Sequence, residues 1–288
     1  MDIEIILLLV LAAVFHSLWN VLAKKSLDKQ VFLWLSLLSL SIMFFMPFYY
    51  LYAHITPVGW GYIILSGILE AIYFVLLGSA YQLGDLSLVY PLARGSAPVF
   101  VTLFAFFLLD EAVSPKGLAG ILLIVGGIYT MHLKSINWQG LGAPLMSLRE
   151  RTSQLALLTG LTTAGYLLVD RVGISYVDPL LYVYLIFFVA AVLIAPYIIW
   201  KKSNFIAREW RANRLSIVAV AVMYVASYLL VLFAMGSSKL GYISSVREVS
   251  VVFTAIIGTL VLQEAFAERR ILGSIFIFAG ILLIALAR

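Results

Sequence analysis

Ten apolar runs of about 18 to 24 residues follow one another along this chain with short connectors between them. Each is long enough to cross a bilayer as a helix. Their approximate bounds are 3–23, 31–53, 59–81, 86–109, 115–134, 154–173, 179–200, 214–236, 241–262 and 268–287. The runs consume nearly all of the 288 residues, so the expected fold is an all-α polytopic membrane protein with ten transmembrane helices. Composition agrees: 64% of residues are hydrophobic and 11% charged, against about half and a quarter in soluble proteins. The longest connector, roughly 135–153, is too short for an independent catalytic or regulatory domain. The chain has no cysteine, which excludes disulfides, thiolate metal sites and cysteine nucleophiles. Met1-Asp-Ile-Glu4 is acidic where a cleavable signal peptide should be basic.

The net charge of +5 is unevenly placed. Assigning connectors alternately to two sides puts thirteen Lys and Arg on one side, including Lys24, Lys25, Lys201, Lys202, Arg208 and Arg211. Four stand on the other: Lys116, Arg171, Lys239 and Arg288. The positive-inside rule makes the richer side cytoplasmic and both termini periplasmic. The basic run at 201–214 then reads as an orientation signal beside anionic headgroups, not as a nucleic-acid site.

Several runs carry polar residues that hydrocarbon would reject. Arg94 stands in the stretch Gly84-Asp-Leu-Ser-Leu-Val-Tyr-Pro-Leu-Ala-Arg-Gly-Ser-Ala-Pro98, between Pro91 and Pro98. A guanidinium keeps its charge at any ordinary pH, and each proline frees a helical carbonyl. A charged helix broken in this way must face protein or a water-filled cavity. Glu70 lies near the middle of its run, where an ionised carboxylate costs about 3 kcal/mol on insertion scales. It needs a partner, a proton or water, and an ion pair with Arg94 across the hairpin is one solution. In the first run, spacings of three and four put His16, Trp19 and Asn20 on one face. His16 is either a hydrogen-bonded imidazole between helices or a cavity residue that touches substrate or relays a proton. Asp170-Arg171 reads as an interfacial pair, and Glu111 as a cap at the start of the fifth run. Arg247 and Glu248, being adjacent, point about 100° apart and cannot serve as a mutual pair that neutralises both.

A shift of 153 residues superposes Arg94 on Arg247, Val99-Phe100 on Val252-Phe253, and Glu111-Ala112 on Glu264-Ala265. Gly120 falls on Gly273 and Gly127 on Gly280. The chain is thus a repeat of two five-helix units, 1–134 and 154–288, joined by the connector 135–153. An odd number of spans per unit inverts one relative to the other, the signature of secondary transporters. The glycines, seven residues apart, allow close helix approach. Arg94 falls about 5 Å to the cytoplasmic side of the middle of its run, and Arg247 about 7 Å to the outer side of its own. Two cationic stations would flank the midplane.

These features resemble the EamA family of the drug/metabolite transporter superfamily. The resemblance covers the whole length, with Glu111, Gly120 and Gly127 closing one half and Glu264, Gly273 and Gly280 the other. His16-Ser-Leu-Trp-Asn20 and Gly84–Gly95 are similar to a bacterial subgroup associated with phosphonate utilisation. The resemblance implies helices around a central cavity formed by runs three, four, eight and nine, with gradient-driven movement of small metabolites, often export. It departs in run eight, where Met223 occupies the place matching Glu70, so a symmetric acidic pair is absent.

The rival readings are fewer. His16, His54 and His132 are scattered, without metal-ligand spacing, and no nucleophile elbow or Walker A loop is present to make an enzyme or an ATP-driven pump. A lipid-phosphate flippase is the nearest alternative, since arginines can hold a headgroup. The expected function is secondary transport of a small anionic or zwitterionic metabolite across the bacterial inner membrane, proton-coupled and outward, by a monomer or homodimer without cofactor. Arg94 and Arg247 would grip the anion, Arg94 the more important of the two. Glu70 would take a proton or an ammonium, and His16, Trp19, Asn20, Tyr90 and Ser244 would line the cavity.

Overall fold

The computed structural model describes residues 1–51, 54–83, 86–131, 150–253 and 268–287. Every regular element among them is a helix: α1 (Ile3–Lys24), α2 (Lys29–Met43), α3 (Phe45–Leu51), α4 (Pro57–Leu83) and α5 (Leu86–Leu109) in the first half. There follow α6 (Pro115–Met131), α7 (Arg151–Gly173), α8 (Pro179–Met235), α9 (Leu240–Arg247) and α10 (Glu268–Ala285). The expected second run is divided between α2 and α3, with Phe44 leaving the helical region. The connector around Gly140, the end of run nine and Glu264 lie outside the described residues, as do the side chains of Tyr90 and Pro91.

At 57 residues α8 would be about 85 Å long if straight, nearly three hydrocarbon thicknesses. It folds back instead. Lys202 (φ −137°) and Asn213 (φ −129°) are non-helical and cut it into 179–201, 203–212 and 214–235. The contacts require this: Tyr182 and Tyr228 both donate to the carboxylate of Asp170. The two long arms therefore correspond to expected runs seven and eight, joined by a helical strut. Asp178 starts the first arm by accepting from the Leu180 amide at 2.9 Å, with Pro179 in the first turn.

The proline-bearing helix is the continuous one. α5 runs through Pro91 and Pro98, whereas run nine, which lacks matching prolines, is interrupted. α9 stops at Arg247, a turn follows at Glu248 and Val249, and helix resumes at 250–253. Through the turn the backbone tightens to i→i−3 bonds, Glu248 N–H to Ser245 O and Val251 N–H to Glu248 O. The expectation that α5 is broken is corrected. Proline frees carbonyls without ending a helix where neighbouring helices hold it. α5 ends at Asp110 in the left-handed region (φ 54°), and Glu111 N–H reaches back six residues to Ala105 O, closing the last turn.

The two halves meet where α6 crosses α10. A Cβ added to Gly120 would lie 2.7 Å from Gly280 O, and one added to Gly127 would lie 2.6 Å from Gly273 O. Only glycine allows this backbone contact. Because 120 faces 280 while 127 faces 273, the helices run antiparallel. The matched segments of the repeat are thus inverted with respect to each other.

Polar clusters tie each end of the bundle. At one, Asp28 caps α2 by accepting from Gln30 and Val31 amides at 3.1 Å, and its other oxygen takes Lys202 Nζ at 2.6 Å. Glu209, fully buried in the α8 strut, accepts from the Asp28 amide at 2.8 Å and from Asn213 at 2.5 Å. The run 201–214 therefore does more than orient the chain. Its Lys202 and Glu209 turn inward to hold the start of α2, leaving Lys201, Arg208, Arg211 and Arg214 exposed. At the other end Glu111 pairs with Arg171 at 3.2 Å and accepts from the Leu240 amide at 2.6 Å. Its carboxylate caps α9, in the opposite half, and not the α6 that follows it in sequence. The outward faces of the helices carry Leu7, Phe107, Leu122, Ile275 and Leu282, all exposed and apolar, as contact with lipid requires.

Candidate functional site

Three helices bring the same spacing to the centre of the bundle. α1 supplies His16 and Trp19, α4 supplies Glu70, Tyr73 and Phe74, and the second arm of α8 supplies Tyr224, Ser227 and Tyr228. The i, i+3, i+4 pattern stacks these side chains on one face of each helix. Tyr166 of α7, Phe187 of the first α8 arm and Arg247 at the end of α9 complete the wall. The space they line is partly open and offers about 20 Å³, enough for one water molecule.

Aromatic contacts set the shape. Trp19 lies against both His16 and Tyr224 with ring centroids 4.7 Å apart in each case. Phe187 meets Tyr228 at 5.6 Å, and Tyr73 meets Tyr166 at 5.6 Å. Such amphipathic rings close the space while offering π faces to a cation. The Arg247 guanidinium already uses one, sitting 5.9 Å over the Tyr228 ring.

An arginine and a glutamate face this space, Arg247 and Glu70, which are 5% and 2% exposed. Arg94 is placed differently. It is buried and forms an ion pair with Glu248 at 3.3 Å, linking α5 to the turn after α9 across 154 residues of sequence. Among the described residues no ion pair joins Arg94 to Glu70, so the hairpin pairing considered above is corrected. The angular argument for Arg247 and Glu248 matches their placement: one side chain faces the cavity and the other turns to Arg94. α5 contributes no described lining residue, although the resemblance implies that it should.

Asn20 braces α1 and does not line the space. Its Nδ2 donates to His16 O at 2.9 Å, and its Oδ1 accepts from Tyr81 at 3.4 Å. Ser244 is buried without facing the cavity. Asp170 is not interfacial: it is fully buried, takes Tyr182 at 2.8 Å and Tyr228 on its other oxygen, and leaves Arg171 to Glu111. Asp170 reads as interfacial in the sequence because it adjoins an arginine near the end of an apolar run. The signal that could have exposed it is the surplus of tyrosines on α8.

Comparison with known proteins agrees with this architecture. No curated protein matches the chain. A solved structure described as "Crystal structure of protein" superposes with a TM-score of 0.76 at 15% identity, covering 99% of this chain and 98% of that one. At that identity the likeness extends to the fold alone. The profile of the EamA-like transporter family matches residues 3–133 and 152–286, one copy for each half. With nearly the whole length accounted for in two copies, the chain belongs to the EamA-like transporter family.

Proposed function

We propose that this membrane transporter is a secondary carrier for a small zwitterionic metabolite, bound between Arg247 and Glu70 and moved by alternating access. The observation that carries the reading is the placement of one guanidinium and one carboxylate on the same small, aromatic-walled cavity. A guanidinium matches the oxygens of a carboxylate or phosphonate. Glu70, without an ion pair among the described residues, suits an ammonium, and the tyrosine faces add cation–π attraction. Room for one water means that the helices part to admit a solute. Arg94, engaged by Glu248, holds the two halves together in this reading and grips no substrate.

An unpaired carboxylate at this depth costs about 3 kcal/mol as a charge. The substrate's ammonium or a transported proton removes that cost, which makes Glu70 the coupling residue. Counterflow in proteoliposomes tests both parts. Among radiolabelled amino acids, aminoalkylphosphonates, simple carboxylates and simple amines, one of the first two classes is expected to exchange. Arg247→Lys keeps the charge and loses the fork, and is expected to weaken binding at least about tenfold, or 1.4 kcal/mol. Glu70→Gln is expected to abolish uptake driven by a proton gradient and to weaken, without abolishing, exchange of the zwitterion. Unchanged affinity in well-folded Arg247→Lys protein sinks the substrate assignment, and full gradient-driven uptake by Glu70→Gln sinks the coupling assignment.

The carrier resides in a bacterial inner membrane, with both termini periplasmic and transport outward. The thirteen-to-four asymmetry of Lys and Arg supports the orientation. A phosphatase fused after Arg288 should be active, and a fluorescent, phosphatase-silent fusion would reverse the topology.

A further inference from the structure

The cavity wall contains hydrogen-bond donors that no described residue accepts from. Trp19 Nε1–H donates to His16 Nδ1 at 3.2 Å. An indole can only donate, so Nδ1 must present its lone pair and the ring proton must sit on Nε2. The other nitrogen, Nε2, is buried, belongs to a residue lining the cavity, and has no partner among the described residues. Arg247 Nε is in the same condition, and so is the Tyr224 hydroxyl. His16, Arg247 and Tyr224 are 3%, 5% and 4% exposed, so bulk water does not satisfy them. A buried donor left unmet costs about 1–3 kcal/mol. Two of these three groups, the imidazole Nε2–H and the guanidinium Nε–H, can only donate. They call for an acceptor.

We infer that His16 is an oxyanion-binding residue, donating from Nε2–H to a carboxylate or phosphonate oxygen of the solute beside Arg247, and that Trp19 is the positioning residue that fixes its tautomer. The inference deepens the zwitterion reading and rests on it for the substrate class. It separates the cavity into two poles, with His16, Arg247 and Tyr224 for the acid group and Glu70 for the amine. A neutral donor adds direction without further charge, so the site needs only one guanidinium to discriminate an oxyanion. Asn20 contributes from behind, its amide holding the His16 backbone carbonyl.

The test is magic-angle-spinning ¹⁵N NMR of histidine-labelled protein in lipid bilayers, with His54→Gln and His132→Gln so that His16 gives the only imidazole signals. The expected spectrum is a single Nε2–H tautomer. Formate, the smallest carboxylate, should shift the Nε2 resonance, and methylammonium should not. Trp19→Phe, or 3-benzothienylalanine at position 19, which keeps the indole shape and removes only its N–H, should populate the second tautomer and weaken the formate response at least fivefold. A dominant Nδ1–H form in the unsubstituted Trp19 background overturns the inference. So does an Nε2 resonance indifferent to formate, which would mean that a resident water satisfies the donor. Counterflow keeps the two readings apart. A formate response without exchange of any zwitterion retains the oxyanion role and rejects the zwitterion, and exchange with a silent His16 does the reverse.

Discussion

Glu248→Gln is expected to destabilise the folded protein by about 3–5 kcal/mol, the usual consequence of removing one partner from a buried ion pair. The carboxylate is 2% exposed and sits 3.3 Å from Arg94, so its loss removes the acidic partner of a buried guanidinium that cannot be discharged. The double change Arg94→Met with Glu248→Met should recover most of that loss, because an apolar pair of similar volume needs no desolvation. Arg94→Lys should retain most of the contribution of the pair with Glu248, since that contact is through a single guanidinium nitrogen. Reversible unfolding in mixed micelles measures all three. If Glu248→Gln loses less than about 1 kcal/mol, the pair is not a buried one. The doubly apolar variant also asks a mechanistic question. The pair joins α5 to the turn that interrupts run nine, so a protein that is stable yet unable to exchange solute would show that the pair must break and re-form during the cycle.

The second large effect is expected at the crossing of α6 and α10. Gly280→Ala places a methyl group 2.5 Å from Gly120 O and 2.7 Å from an Ile124 side-chain carbon. The helices must separate, and overpacking of this kind costs about 1–3 kcal/mol. Gly280→Leu should cost more, enough to prevent accumulation of folded protein. Gly126 is the control. A Cβ added there meets nothing within 4 Å, so Gly126→Ala should be neutral or stabilising by up to about 1 kcal/mol. Gly120→Ala combined with Gly280→Ala should cost less than the sum of the single changes, because the helices need to part only once. Equal behaviour of Gly126 and Gly280 would show that the crossing is not close. The fitted pairs, 120 with 280 and 127 with 273, also explain why a 153-residue periodicity keeps glycine at these places.

What the sequence made legible was the part written locally. Apolar run length marked the helices, and a charge in an apolar run marked Arg94, Arg247 and Glu70 as residues needing company. Recurrence of glycine at a fixed shift marked the repeat. Partner identity was not legible. Glu248 and Arg94 are separated by 154 residues, and only tertiary packing tells whether Arg94 meets Glu70 or Glu248. The same holds for Asp170, whose tyrosine partners stand 12 and 58 residues away. Proline misled in a different way. It shows where a hydrogen bond is absent, but neighbouring helices decide whether the helix then breaks. In α5 the helix continues through Pro91 and Pro98, and in run nine the chain turns without any proline. The cavity wall was within reach, since Glu70-Tyr73-Phe74 and Tyr224-Ser227-Tyr228 repeat the spacing already noted for His16-Trp19-Asn20.

The tightness of the central space has an electrical consequence. Hydrated regions of a membrane protein conduct, so the transmembrane voltage falls mainly across whatever layer stays dry. Where water reaches the bundle from both faces, that layer is the aromatic ring around a space of about 20 Å³, and both Glu70 and Arg247 stand in it. Charge that shifts across the ring crosses a large share of the field, at about 2.3 kcal/mol per elementary charge per 100 mV for a full crossing. A step that returns the Glu70 proton inward is therefore driven by voltage. A step that carries the zwitterion alone responds only to its concentration on the two sides. A constriction of that kind concentrates the membrane's field on Glu70 and Arg247.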